Sequence, residues 1–227
     1  MNVVTIHQPE HLSYLGFFHK VSMADTLVLL DNVQYEKNYF QSRNRIYTSQ
    51  GVRFVTVPVT NANGPINKVR ICDNFFDHIC RKNVRTIEQA YGKAPFFKKY
   101  GEEFLSLYSS PNSSSLSTYN ENLLKYILRV LEIDVRVIKA SMLGVKGAKT
   151  DLLLDICHKA DADKYVSGAS GRDYLEREKF DIPVEFQKFA HPTYTQWGKT
   201  EFQPYLSIID ALFNVGPNIM QIIKAAN

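Results

Sequence analysis

Two histidine-containing segments, far apart in the chain, carry the residue types best suited to chemistry. The first follows a short apolar run near the N-terminus and reads Ile6-His7-Gln8-Pro9, and Gln8 is predicted to bind substrate beside His7. The second reads His191-Pro192-Thr193-Tyr194, and Gln196 follows two residues later. Imidazole is the side chain that titrates nearest neutral pH, so His7 and His191 are both candidates for moving a proton during a reaction.

Asp31 is the predicted partner of His7. Residues 2–6 and 26–30 form apolar runs typical of strands covered on both faces, and residues 14–24 between them have a helical pattern. Such a unit predicts a right-handed parallel crossover, in which the carboxyl ends of both strands meet at one edge of the sheet. Asp31 would then orient the ring of His7 and favour its charged form. A histidine that merely ends a strand is the alternative.

A polar segment follows the second apolar run and is predicted to bind substrate. Its candidate residues are Gln34, Lys37, Gln41, Arg43 and Asn44. Arg43 offers a planar fork for a phosphate, and Lys37 offers a point charge. The alternative is a solvated entrance to a β-hairpin.

A third candidate segment contains several small residues after a predicted strand at residues 164–167. We expect it to expose backbone N–H groups to an anion, with contributions from Ser167, Gly168, Ser170, Gly171 and Tyr174. The segment matches neither a Walker A sequence nor a Gly-x-Gly-x-x-Gly sequence, so a tightly packed turn is the alternative.

The segment after His191 is predicted to complete the site. Tyr194 is expected to stack on a ring of the substrate, and Gln196 is expected to hydrogen-bond to it. A buried histidine with satisfied ring nitrogens, playing no chemical part, is the alternative.

These segments must be positioned by an α/β fold. Residues 44–73 have β-rich patterns that predict a hairpin, and residues 118–132 carry leucines and an isoleucine on one helical face. The order of elements predicts a Rossmann-like, mainly parallel sheet with a β-hairpin region. We expect one domain over residues 1–227, with a helical insertion at about 74–132.

Composition limits the function classes. The 227 residues are 44% hydrophobic and 22% charged with a net charge of +4, which is ordinary for a globular protein and unlike a concentrated basic stripe for nucleic acid. The three cysteines lack metal-ligand spacing, so we expect reduced thiols and no metal site. No signal peptide or membrane span is predicted, and we expect a cytoplasmic location.

The same segments, in the same order, resemble the WbqC-like family of bacterial proteins encoded among surface-polysaccharide genes. The N-terminal match reads IHQPEHLSYLGFFHKVSMADTLVLLDNVQYEKNYFQSRNRI, and TVPV follows after the hairpin. The C-terminal match comprises KTDLLLDIC, SGASGRDYL and HPTYTQWGKTEFQPYLSIIDALFNVGPN. The matching segments span nearly the whole chain and leave mainly the helical insertion outside.

The resemblance implies a transferase that forms an amide in O-antigen biosynthesis. The acceptor would be the amine of a nucleotide-linked amino sugar, such as a dTDP-4-amino-4,6-dideoxy sugar. The donor would be an activated acyl or aminoacyl group on coenzyme A or an acyl carrier protein, or on aminoacyl-tRNA, with no tightly bound cofactor. His7 is then the expected base, oriented by Asp31, and His191 is the reserve. The alternatives are an ATP-dependent ligase or nucleotidyltransferase and a non-catalytic sugar-nucleotide binding protein.

Overall fold

The computed structural model describes residues 1–110 and 113–225 of the chain. The strands, in chain order, are β1 (Val3–His7), β2 (Thr26–Leu29), β3 (Arg43–Thr48), β4 (Gly51–Thr56), β5 (Val59–Thr60), β6 (Arg70–Ile71), β7 (Arg136–Lys139), β8 (Lys164–Ser167) and β9 (Val184–Phe186). The α-helices are α1 (Leu15–Val21), α2 (Ile79–Tyr91), α3 (Phe97–Ser109), α4 (Leu116–Val130), α5 (Lys149–Lys159), α6 (Ile208–Val215) and α7 (Ile219–Ala225).

The central sheet has five strands in the order β7-β2-β1-β8-β9, and every neighbouring pair is parallel. Counted along the chain within this sheet alone, the order is 3-2-1-4-5, which is the Rossmann order. The predicted Rossmann-like α/β class is therefore confirmed. The order reverses between β1 and β8, so the connections after these two strands run in opposite directions and leave a crevice between them.

The apolar runs form the middle of the sheet, as their composition predicts. The side chains of β2 are all buried, and those of β1 are buried up to Ile6. Helix α1 connects the two strands and is also buried along its whole length. Because both faces of the sheet are covered, polar side chains in this region reach water only at the strand ends.

The predicted β-hairpin is formed by β3 and β4, which pair antiparallel from Arg43 opposite Thr56 to Thr48 opposite Gly51. In β3 the side chains of Asn44, Ile46 and Thr48 are buried, and the intervening ones are less so. This alternation directs one face of the hairpin into the core and leaves the other free to border a cleft.

Helices α2, α3 and α4 occupy the region predicted as a helical insertion. Their buried residues Ile87, Tyr108 and Leu123 belong to the same apolar cluster as Phe18 of α1 and Phe213 of α6. The helical region thus shares its core with the first crossover and with the C-terminal helices. Across the described residues, no helix combines the length and apolar character needed to cross a membrane.

Candidate functional site

A cavity of about 520 Å³ opens at the point where the strand order reverses. His7 and Gln8 border it from the end of β1, and Ser167 and Gly168 border it from the end of β8. Lys20 borders it from α1. Ligands of open parallel sheets bind at this place, so the topology marks this cavity as the candidate functional site.

His7 stands between a lysine and a glutamate. Lys20 Nζ lies 3.0 Å from His7 Nδ1 and donates a second hydrogen bond, also of 3.0 Å, to the carbonyl oxygen of Ile6. On the other side of the ring, His7 Nε2 lies 3.2 Å from Glu10 Oε1. The imidazole also packs edge-on against Phe17, with ring centroids 4.9 Å apart. The three polar side chains form a continuous row along the cavity wall.

The pKa shifts assign a charge to each member of this row. Burial, assisted by the Lys20 charge, lowers the pKa of His7 below its usual range. Burial lowers the pKa of Lys20 to about 8, although Glu10 opposes the shift. Burial disfavours the charged form of Glu10, but His7 and Lys20 outweigh it and hold its pKa below the ordinary value. Near neutral pH the row is therefore ammonium, neutral imidazole and carboxylate.

These charges also fix the tautomer of His7. An ammonium group has no lone pair, so Lys20 must donate to Nδ1, and the ring proton must sit on Nε2, facing Glu10. The imidazole therefore has no lone pair left for a substrate proton, whereas the Glu10 carboxylate can accept one.

A second cavity of about 330 Å³ adjoins the first. Six residues line both cavities: His7, Glu10, Tyr14, Tyr39, Ser170 and Tyr205. Of these two cavities, Asn44 and Arg45 of the hairpin line only the smaller one. His7 and Glu10 thus lie at the junction of two adjoining cavities, and Lys20 borders only the larger one.

Gln41 and Asn44 hold the walls of these cavities in place through hydrogen bonds. The buried Gln41 donates from Nε2 to Gln8 Oε1 over 2.6 Å and accepts at Oε1 from the backbone N–H of Glu36 over 2.9 Å. Asn44 Nδ2 donates to the carbonyl oxygens of His11 and Leu12, and Leu12 has a left-handed φ of 50°. Both residues were predicted to bind substrate. Gln41 is fully buried and instead positions the backbone and side chains that line the larger cavity, whereas Asn44 lines the smaller cavity and its binding role stays a prediction.

The turn after β8 reaches the cavity with most of its predicted residues. Ser167, Gly168, Ser170 and Tyr174 line the larger cavity, and Tyr174 is 59% exposed. Gly171 lies outside the lining, where a Cβ would collide with the hydroxyl of Ser167. Gly171 therefore allows the turn to pack closely, and its role in binding stays a prediction.

The predicted pairing of Asp31 with His7 is wrong. Asp31 is 1% exposed and accepts two hydrogen bonds from Ser141, of 2.9 Å from the backbone N–H and 2.7 Å from the hydroxyl. Asp31 follows β2, and Ser141 follows β7, which lies on the side of β2 away from β1. The carboxylate is therefore directed away from His7, whose partners are Lys20 and Glu10.

The prediction of His191 as a reserve base is contradicted by its hydrogen bonds. His191 Nδ1 lies 2.8 Å from the carbonyl oxygen of Pro192, and Nε2 accepts from the backbone N–H of Tyr205 over 3.1 Å. Both ring nitrogens are thus bound to backbone groups, as in the alternative of a satisfied structural histidine. Its ring contacts Tyr205 with centroids 5.0 Å apart, so His191 positions a tyrosine that lines both cavities.

Tyr194 and Gln196 bind a buried carboxylate. The Tyr194 hydroxyl and Gln196 Nε2 each lie 2.9 Å from Asp210 Oδ1, and the Tyr91 hydroxyl lies 2.9 Å from Asp210 Oδ2. Asp210 is 1% exposed, and burial raises its pKa despite these donors. The buried Gln196 therefore has a structural role in place of its predicted contact with substrate. The Tyr194 hydroxyl is structural as well, and the stacking of its ring on a substrate stays a prediction.

The remaining predicted polar residues lie outside the cavity walls. Gln34 donates to the neighbouring carbonyl oxygen of Tyr35, and Lys37 is exposed. The Arg43 guanidinium stacks 4.5 Å from the ring centroid of Phe54 on β4. These three residues match the alternative of a solvated hairpin entrance.

Lys20, Glu10 and Arg45 are the site residues that the sequence prediction missed. Lys20 had a detectable signal, because a lysine beside Phe17, Phe18 and Val21 in a helix between two buried strands has no solvated face to occupy. In the described part of the chain, no group of three or more histidine, cysteine, aspartate or glutamate side chains is arranged to hold a metal ion.

The fold and the cavity define a class: an α/β protein with a Rossmann-ordered sheet and a polar site at its topological switch point. Residues 8–222 match the sequence profile of the WbqC-like protein family, and the chain belongs to that family. It is also 31% identical over 223 residues to the uncharacterized protein Rv1507c of Mycobacterium tuberculosis, and the aligned region covers 95% of each chain. No solved structure matches the chain.

Proposed function

We propose that this protein is a transferase that forms an amide between an activated acyl group and the amine of a nucleotide-linked amino sugar. The observation that supports the proposal is the pair of connected cavities whose shared lining includes His7 and Glu10. A two-substrate reaction needs two binding spaces that meet where the bond forms. The resemblance to proteins of surface-polysaccharide gene clusters supplies the substrate class.

The reaction transfers one acyl group and one proton. The amine nitrogen attacks the carbonyl carbon of a thioester on coenzyme A or an acyl carrier protein, a C–N bond forms, and the C–S bond breaks. The nitrogen becomes strongly acidic as the new bond forms, so a carboxylate suffices to remove its proton. That proton ends on the departing thiolate, and the products are an N-acyl sugar nucleotide and a free thiol.

Glu10 is the residue we assign as the base. It lines both cavities, and its carboxylate is charged near neutral pH. His7 Nε2 lies 3.2 Å from this carboxylate, and Lys20 holds His7 through Nδ1. His7 and Lys20 are then positioning residues, which keep Glu10 ionised in a largely buried place.

The direct test is mass spectrometry of a dTDP-4-amino-4,6-dideoxy sugar incubated with the protein and a panel of acyl thioesters. We expect one donor to increase the mass of the sugar nucleotide by its acyl group. Release of AMP or pyrophosphate from added ATP would instead show a ligase or nucleotidyltransferase. A sugar nucleotide that binds but stays unchanged with every donor would show a non-catalytic binding protein.

A further inference from the structure

We propose that Arg45 binds the diphosphate of an organic ligand in the smaller cavity. The inference rests on the proposed function for the choice of ligand, because sugar nucleotides and coenzyme A both carry a diphosphate. Its geometric basis is separate: Arg45 on β3 lines the cavity of about 330 Å³ that adjoins His7 and Glu10.

Among the charged side chains that line the two cavities, Arg45 is the cation that can bind a phosphate. Among the described residues that line either cavity, the basic side chains are His7, Lys20 and Arg45. His7 is neutral near pH 7, and Lys20 is buried with its ammonium bound to Ile6 and His7. Glu10 lines both cavities, and the larger cavity has a second carboxylate, Glu36, in its wall, which disfavours a phosphate there.

Arg45 is held in place but has unused donors. One Nη2 hydrogen bond of 2.8 Å goes to the carbonyl oxygen of Tyr205, which also lines the smaller cavity. Arg45 Nε is buried and donates to no acceptor, and within the described residues the guanidinium forms no salt bridge. A buried donor without an acceptor is unfavourable, and a planar fork with free N–H groups fits phosphate oxygens.

Aromatic side chains surround the same cavity. Tyr39, Phe40 and Tyr205 line it, and the two tyrosines are 45% and 51% exposed. Aromatic rings stack on nucleobases with little preference for sequence, so this wall fits thymine and adenine alike. A nucleotide bound here would place its base against the rings, its diphosphate on Arg45, and the group beyond the diphosphate toward Glu10.

Arg43 provides a matched control on the same strand. It lies two residues before Arg45, on the same face of β3, but its guanidinium stacks on Phe54 and lines neither cavity. Removal of Arg43 changes the net charge of the protein by the same amount as removal of Arg45. The two variants therefore separate a specific contact from a general electrostatic effect.

Isothermal titration calorimetry with dTDP, coenzyme A and thymidine tests the inference. We expect Arg45→Met to weaken binding of at least one diphosphate ligand roughly 10- to 100-fold, the range for loss of charge-assisted hydrogen bonds. Arg45→Lys should recover only part of that affinity, because an ammonium lacks the fork. Arg43→Met should bind within about twofold of the wild type, and thymidine should bind equally to all variants.

The pattern across ligands identifies the source of the diphosphate. An Arg45 effect on dTDP alone assigns the smaller cavity to the sugar nucleotide, and an effect on coenzyme A alone assigns it to the donor. Equal binding of both ligands to folded Arg45→Met and wild type, or binding of neither to the wild type, overturns the inference. Arg45-dependent binding without any acyl transfer would overturn the proposed function and leave this inference standing.

Discussion

Lys20 illustrates how one residue can be costly to the fold and useful to the site. Lys20 is 3% exposed, and its ammonium holds the ring of His7 and the backbone of Ile6. Burial lowers its pKa from 10.5 to about 8, so keeping the charge in the folded state opposes folding near neutral pH. In the site, the same charge places the ring proton of His7 on Nε2, the nitrogen that faces Glu10.

The pH dependence of stability tests this account of Lys20. Between the folded pKa of about 8 and the unfolded value of 10.5, the unfolded chain binds more protons, so stability rises with pH. From pH 7 to pH 9.5 the wild type should gain about 2 kcal/mol in unfolding free energy relative to Lys20→Met. Urea unfolding at both pH values measures the difference. The exposed-lysine control Lys37→Met should follow the wild type, and a Lys20→Met curve parallel to the wild type would contradict the assigned burial.

Residue types and strand ends were enough to find His7 and Gln8, because any polar side chain directly after a buried parallel strand faces the same edge. They were not enough to find the partners of His7. Asp31 also comes directly after a buried parallel strand, β2. Its hydrogen-bond partner depends on the strand on the far side of β2 from β1, which is β7, and Ser141 follows β7. Glu10 and Lys20 come close to His7 only through the backbone path after Pro9 and the packing of α1, which no local pattern specifies.

At the scale of elements, the C-terminal polar segment holds the helices together. Asp210 of α6 collects hydrogen bonds from Tyr91 at the end of α2 and from Tyr194 and Gln196 of the segment before α6. The segment at residues 191–196 was predicted to bind a substrate because the sequence shows its polar side chains. The sequence does not show that Asp210, a buried residue elsewhere in the chain, accepts their hydrogen bonds. The acceptor lies 14 or more residues away, on a helix whose other residues, apart from Asn214, are apolar.

Removal of one of the hydrogen-bond donors to Asp210 should destabilise the fold and leave the residues that line the two cavities unchanged. Tyr194→Phe deletes the hydroxyl bound to Asp210, and we expect a loss of about 1–2 kcal/mol in unfolding free energy. The control Tyr174→Phe removes a hydroxyl from a tyrosine that is 59% exposed and should change stability by less than about 0.5 kcal/mol. Equal stability of the two variants, measured by urea unfolding, would contradict the structural role of Tyr194.

At the scale of the whole molecule, the strand order explains why residues 160 apart in the chain share one cavity. The reversal between β1 and β8 brings the segment after His7 beside the turn after Ser167. The sequence predicted the class of sheet from its apolar runs and crossover lengths. The position of β8 next to β1 is a long-range property, so it became visible only in the structure.

The shared core predicts that the chain unfolds as one unit. Helices α2 to α4 pack in the same apolar cluster as α1 and α6, and the single tryptophan, Trp197, bonds through its backbone N–H to Asn214 of α6. Thermal unfolding followed by far-ultraviolet circular dichroism and by tryptophan fluorescence should therefore give one midpoint. Two separated midpoints would show that the helical region at about 74–132 is a separate domain.

The central claim is that Glu10 accepts the substrate proton at the junction of the two cavities. Turnover of the dTDP-amino sugar by Glu10→Gln, with the dissociation constant measured in parallel, tests it most directly. Asp181→Asn is the matched control, because Asp181 also pairs with a histidine, His158, over 2.9 Å but on the surface. We predict a loss of turnover of about 10²-fold or more for Glu10→Gln, sugar-nucleotide binding within a few-fold of the wild type, and an unchanged control. Turnover near the wild-type rate in folded Glu10→Gln would contradict the claim.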